Sequence, residues 1–203
     1  MATTCPLSDQ ARHYLCCYYQ ILDEMIQGVT TARLGQSISR GFIAQAVPHR
    51  RAAIRMCQNI LDVSENQAVR RLAQRTLGQC SENIGRLEDV LADCGPALTP
   101  PDDLRLYQRR TDLIFREMFA QMRAAPEGNR LDAVFLHQLL PCSRGELYIA
   151  QNALRYGVCP ELDPILHLRA AQLSGEIGRQ EALLGRMGCQ RRSSCASGTF
   201  LVY

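Results

Sequence analysis

The sequence predicts an all-α protein, a helical bundle of about six helices built from two tandem three-helix repeats related by a pseudo-twofold axis. The first observation is an internal repeat: a spacing of 93 residues aligns residues 14–91 with residues 107–184 without a gap, at 20 identical positions. The second is composition, because Ala, Leu, Gln, Arg and Glu dominate and Trp is absent, which favours helix over strand. Three amphipathic helices cannot easily close a core alone, so the two copies should bury each other's apolar faces.

The first repeat is predicted to cover residues 1–93, with helices at about 9–28, 38–61 and 65–92. Ser8 and Asp9 offer an N-cap to the first helix, and Gly28 is expected to end it. The second helix contains Pro48, which should either kink the helix just before His49 or begin a new one. A Pro-rich linker, residues 94–103, is predicted to separate the repeats.

The second repeat is predicted to cover residues 104–188. Its helices are expected at about 102–124, 131–156 and 161–187, with turn sequences between them. The last helix contains Gly175, Gly178 and Gly185, which suggests that another helix approaches it closely. Residues 189–203 are rich in Ser, Cys and Gly, and they are predicted to be a flexible tail that only Phe200 to Tyr203 could dock.

Charge and hydropathy patterns exclude several classes of partner. All 23 basic residues are Arg, but they alternate with 20 acidic residues, so the net charge is +3 and no one-signed stripe for nucleic acid emerges. No apolar run approaches the roughly 20 residues that a membrane helix needs. The first residues lack the features of an export signal, so the expected location is cytoplasmic and most of the ten cysteines are expected to be free thiols.

The repeated stretch is also the best candidate for a metal site. Residues 42–61 read FIAQAVPHRRAAIRMCQNIL, and residues 135–154 read FLHQLLPCSRGELYIAQNAL. His49 and Met56 share one helical face, and Cys142 and Glu146 share a face at the corresponding place in the second copy. Nitrogen and sulfur ligands of this kind suit copper(I). The alternative is that His49 is a hydrogen-bonded core residue and Met56 is core packing.

No pattern indicates an enzyme. No local motif ties a cysteine to a histidine base, and no glycine-rich loop could cradle phosphate. Function is therefore expected to be non-enzymatic. Two hypotheses follow: a bundle with weak or lost soft-metal binding, or a self-assembling, coat-type interaction protein that forms a homo-oligomer.

The two stretches resemble domain of unknown function family 305, whose hallmark is Met-hydrophobic-Pro-His-His followed by Ala and Met. The resemblance covers about residues 14–187 and implies a ferritin-like helical fold, with copper bound in some members through His and Met. The family's Met is replaced here by Ala46 and Leu139. Of its paired histidines only His49 is present, since the other three positions hold Arg50, Cys142 and Ser143. The ligands implied by the resemblance are therefore His49 and Met56 alone.

Overall fold

The computed structural model of the protein describes residues 6–32, 35–94 and 98–195, with the backbone alone for residues 93 and 189–195. These parts of the chain contain six helices and no strand, which confirms the predicted all-α bundle. The helices are α1 (Asp9–Thr30), α2 (Ile38–Leu61), α3 (Gln67–Asp93), α4 (Pro101–Arg123), α5 (Leu131–Arg155) and α6 (Asp163–Cys195).

The bundle has two halves joined through their central helices. In the first half α2 packs against α1 and α3, in the second α5 packs against α4 and α6, and α2 and α5 pack on each other. One core of buried apolar residues runs through all six helices. None of the described helices is long and apolar enough to cross a membrane.

Local bonds follow the 93-residue spacing. In the first half the Asn59 side-chain amide donates to the Tyr14 carbonyl over 3.0 Å, and in the second Asn152 donates to the Tyr107 carbonyl over 3.1 Å. Between the halves, the Tyr14 hydroxyl donates to Gln138 Oε1 over 2.7 Å. These bonds fix α1 on α2, α4 on α5, and α1 against α5.

The start of α1 is as predicted, but its end is not. The Ser8 side chain accepts from the Ala11 backbone N–H, which is the expected N-cap. The helix continues past Gly28 to Thr30, so the prediction that Gly28 ends it is wrong. A Cβ at Gly28 would lie 2.7 Å from Cβ of Pro48, so this glycine instead lets α1 approach α2 closely. Pro48 lies inside the single helix α2, so of the two predicted alternatives a new helix starting at Pro48 is wrong, and the kink before His49 stays a prediction.

The last helix is longer than predicted. Its backbone is helical as far as Cys195, beyond the predicted helix end near residue 187, and residues 196–203 of the predicted tail lie outside the described residues. The expected close helix contact at its glycines is also absent in the described structure. A Cβ at Gly178 or Gly185 would meet nothing within 4 Å, and one at Gly175 would meet only the Arg179 side chain.

A disulfide closes one end of the bundle. Cys94, just after α3, is bonded to Cys159 in the α5–α6 connection, with Cα atoms 6.0 Å apart. The expectation of free thiols is therefore wrong for this pair, because 65 residues of chain separate two positions that only the tertiary fold brings together. Three other cysteines, Cys57, Cys80 and Cys142, are free and buried as expected.

Candidate functional site

The centre of the molecule is the place where α2 and α5 bring His49 and Cys142 together. Each follows the proline inside its helix, Pro48 or Pro141, and the two residues are 93 positions apart. Nε2 of His49 lies 3.4 Å from Sγ of Cys142, and both side chains are buried. His49 and Cys142, which occupy corresponding positions of the two repeated stretches, are therefore in contact with each other.

Beside this pair lies a network of four buried charged side chains, Arg50, Glu146, Arg169 and Glu176, here called the ionic centre. Arg50 Nε donates to Glu146 Oε1 over 2.9 Å. Arg169 donates two hydrogen bonds to the same carboxylate, from Nε to Oε1 over 2.9 Å and from Nη2 to Oε2 over 2.8 Å. Its Nη1 donates to Glu176 Oε1 over 2.7 Å. Both oxygens of Glu146 are therefore occupied by guanidinium groups.

Burial and charge decide the protonation of the two glutamates. Burial alone would raise the pKa of Glu146, but Arg169 and Arg50 reverse this effect and hold its pKa far below the ordinary value. At Glu176 burial raises the pKa, and Arg169 offsets only part of the rise. The chemical difference is that two guanidinium groups contact Glu146 and one contacts Glu176.

The same burial keeps the soft ligands uncharged. It lowers the pKa of His49, so the imidazole is neutral. It raises the pKa of the Cys142 thiol, and the Glu146 carboxylate raises it further. Two more buried thiols are close enough to interact electrostatically: Cys57 with Cys142, and Cys80 with Cys57, Cys142 and the ionic centre. Burial raises the pKa of Cys80 to about 12.

Several polar atoms of the site lack a hydrogen-bond partner among the described residues. They include Nδ1 of His49, Nη2 of Arg50 and Oε2 of Glu176. A buried polar atom that lacks a hydrogen-bond partner lowers the stability of the folded state. A neutral imidazole with one free nitrogen and a second nitrogen beside a thiol is able to ligate a soft metal ion.

The four predicted ligands have different environments. His49 and Cys142 are in contact, while Glu146 lies one helical turn from Cys142 with its oxygens bound to arginines. Met56 is buried in the apolar core, two turns along α2 from His49, which is about 10 Å along the helix axis. The predicted site is thus a pair of soft ligands next to an ion network, and its metal binding stays a prediction.

The sequence prediction missed the roles of Arg50, Arg169 and Glu176. Arg50 occupies a motif position where the family has histidine. Arg169 and Glu176 are seven residues apart, on the same stripe of α6 as Leu166, Leu173 and Leu183, all of them buried. Polar residues at the core spacing of an amphipathic helix were the available signal.

The fold and this centre define a class of protein: a six-helix bundle in two halves, with a Pro-containing helix at the middle of each and a buried polar centre where those helices meet. The chain belongs to the family described as domain of unknown function (DUF305), whose model matches residues 39–184, from the start of α2 into α6. No curated protein and no solved structure matches the chain significantly.

Proposed function

We propose that this protein is a non-enzymatic, ferritin-like bundle that arose by duplication of a three-helix unit and that binds one copper(I) ion weakly between His49 and Cys142. The observation that supports this proposal is the 3.4 Å separation of Nε2 and Sγ. An imidazole nitrogen and a thiolate sulfur are preferred ligands of copper(I).

Weak binding follows from the surroundings of the pair. The Cys142 thiol must lose its proton to ligate, and burial beside the Glu146 carboxylate opposes that loss. Glu146 itself is held by Arg50 and Arg169, which leaves neither of its oxygens free for a metal. Affinity should therefore increase with pH, since binding releases a proton.

The proposal of a non-enzymatic role draws on the same features. A nucleophilic cysteine has a lowered pKa and is accessible to substrate, whereas Cys142 has a raised pKa and is 1% exposed. The neutral His49 beside it is fully buried. Neither side chain can reach a dissolved substrate in this conformation.

The test is an anaerobic copper(I) titration against a chromophoric chelator, with wild type, His49→Ala and Cys142→Ser. Cys17→Ser and His167→Ala, which change a partly exposed thiol and an exposed imidazole, serve as matched controls. We expect both core variants to lose one copper equivalent and both controls to retain it. Equal copper uptake by all five proteins would refute the proposal.

One observation favours a second candidate, a self-assembling role. Leu106, Leu113 and Tyr148 are each about half exposed on α4 and α5, and Leu113 and Tyr148 line one shallow pocket. The corresponding residues of the first half are His13, Gln20 and Arg55, which are polar. We propose that this apolar face contacts a second copy of the chain.

Sedimentation velocity over a range of protein concentrations tests the self-assembling role. The variant Leu113→Gln/Tyr148→Arg carries the residues of the first half and should shift the protein towards monomer. A wild type that stays monomeric at the highest concentration would exclude this role without affecting the copper proposal.

A further inference from the structure

The end of the bundle that carries the disulfide holds a second group of ligands. The sulfur atoms of Cys94 and Cys159 and one carboxylate oxygen of Glu161 all lie within 4.8 Å of one another. Among the described residues, this is the only group of three or more His, Cys, Asp or Glu side chains that meets that distance. Cys94 is buried, Cys159 is half-buried and Glu161 is exposed, so the group opens to solvent on the carboxylate side.

Backbone bonds hold both cysteines in place independently of the disulfide. The Cys94 N–H donates to the Val90 carbonyl over 2.7 Å, and the Cys94 carbonyl accepts from Nη2 of Arg40 over 3.0 Å. The Cys159 N–H donates to Oγ of Ser39 over 2.8 Å, and its carbonyl accepts from the Leu162 N–H over 3.0 Å. Reduction of the sulfur–sulfur bond therefore leaves the two side chains in the same neighbourhood.

Two positively charged features lie beside the residues that carry these sulfur atoms, and they are opposite in sign to the Glu161 carboxylate. Arg40 lies in the first turn of α2, and it binds the residue that carries one of the sulfurs. The bond from the Cys159 N–H to Oγ of Ser39 places the backbone of Cys159 near the N-terminus of the same 24-residue helix. A guanidinium group and a helix N-terminus both stabilise thiolates.

We propose that Cys94, Cys159 and Glu161 form a redox-gated zinc site. In the oxidised protein the disulfide occupies both sulfur atoms. A dithiol reductant transfers two electrons and two protons to the disulfide and becomes a disulfide itself, which leaves two thiols. Binding of zinc then releases the two protons, and the ion is held by two thiolates, the Glu161 carboxylate and a water molecule.

Zinc fits this ligand set better than the harder or softer metal ions. Two thiolates with a carboxylate are borderline ligands, which magnesium and calcium do not prefer, while the carboxylate is a poor ligand for copper(I). Tetrahedral coordination with zinc–sulfur bonds of about 2.3 Å needs sulfur atoms about 3.8 Å apart. Side-chain rotation of two cysteines whose Cα atoms are 6.0 Å apart provides that separation. The zinc site shares no residue with the proposed copper site at His49 and Cys142.

The test uses the full chain in a background where Cys5, Cys189 and Cys195 are replaced by Ser, because the side chains of these three cysteines lie outside the described part of the protein. Zinc is titrated anaerobically against a chromophoric chelator, before and after reduction with a dithiol that is then removed. Cobalt(II) serves as a spectroscopic probe, since thiolate ligation gives charge-transfer absorption and a tetrahedral site gives strong visible bands. We expect one zinc per chain in the reduced protein and none in the oxidised protein.

Variants then assign the ligands. Cys94→Ser should lower zinc affinity on the order of 100-fold and Glu161→Gln on the order of 10-fold, by analogy with the effect of disturbing a metal's ligand shell. Glu161 is exposed, so Glu161→Gln should leave the fold unchanged. Cys16→Ser and His167→Ala, which change an exposed thiol and an exposed imidazole, should bind zinc as the background does. Equal zinc affinity in the oxidised and reduced proteins would overturn the proposal, and so would normal binding by both ligand variants.

Discussion

Helices α3 and α6 bury the same positions but fill them with different chemistry. At a spacing of 93 residues, the buried positions of α3 from Ala73 to Val90 correspond one by one to those of α6 from Leu166 to Leu183. The α3 set is Ala73, Thr76, Cys80, Asn83, Leu87 and Val90, and the α6 set is Leu166, Arg169, Leu173, Glu176, Gln180 and Leu183. Packing thus fixes which positions are inside, and it leaves the polarity of those positions free to differ.

The difference places the ionic centre in the second half of the bundle. Glu146 lies on α5, Arg169 and Glu176 lie on α6, and the first half contributes the side chain of Arg50 from α2. In place of Glu146 the first half has Ala53, and in place of Arg169 it has Thr76. Three helices are therefore tied together by one carboxylate, and α3 contacts the centre through its backbone, where the Asn83 carbonyl accepts from Nη1 of Arg50 over 3.5 Å.

The largest expected effect comes from removing that carboxylate. Glu146→Gln should destabilise the protein by about 3–5 kcal/mol, because two buried guanidinium groups lose their counter-charge. Chemical denaturation followed by circular dichroism measures the change. The matched control is Glu117→Gln on the exposed face of α4, which should change the free energy of unfolding by less than about 0.5 kcal/mol. A small effect at Glu146 would mean that the ionic centre is not required for stability.

The disulfide distinguishes the two ends of the bundle. The position that corresponds to Cys94 in the second half is Met187, and the position that corresponds to Cys159 in the first half is Asn66. Loss of a cross-link that closes a 65-residue loop should lower the free energy of unfolding by about 2–4 kcal/mol under oxidising conditions. Cys159→Ser is the variant to measure, with Cys16→Ser as control. With a dithiol and a metal chelator present, the difference between Cys159→Ser and wild type should disappear.

The two glutamates of the ionic centre should respond oppositely to pH. Glu176 has a pKa raised above the unfolded value near 4.5, so its contribution to stability is present below that value and is lost as pH rises through the folded pKa. Glu146 has a lowered pKa, so its contribution is present above about 4.5 and is lost as pH falls towards the folded pKa.

Glu176→Gln tests this difference. The amide still accepts a bond from Arg169 and mimics the neutral carboxyl, so the cost should stay below about 1 kcal/mol at pH values where the wild-type carboxyl is protonated. The stability of the variant relative to wild type should rise as the pH increases above about 4.5. A cost as large as that of Glu146→Gln at pH 7 would show that Glu176 is ionised and as essential as Glu146.

The sequence was sufficient to predict the positions of the helices, but it was insufficient to predict the ionic centre. Helical periodicity, the Ser8 cap and the repeat gave six helices close to their observed bounds, because these signals are local. The repeat also placed His49 and Cys142 at corresponding positions, which their contact matches. The pairing of Arg50 with Glu146, 96 residues apart, depends on how α2 crosses α5, and no local pattern encodes that crossing. The pairing of Cys94 with Cys159 likewise depends on the tertiary fold, and no local pattern encodes it.

The smallest expected effect concerns a position at which the two halves are identical. Gly85 on α3 and Gly178 on α6 correspond at the 93-residue spacing, and both are inside helices with open space where a Cβ would lie. Gly→Ala at either position should stabilise the protein by about 0.5–1 kcal/mol, because alanine loses less backbone entropy in a helix. Gly28→Ala is the contrasting variant, since its Cβ would overlap Pro48 and should lower the midpoint of thermal unfolding. If Gly85→Ala stabilises the protein and Gly178→Ala does not, then α6 approaches another surface that α3 lacks, and the two halves differ outside the core as well as within it.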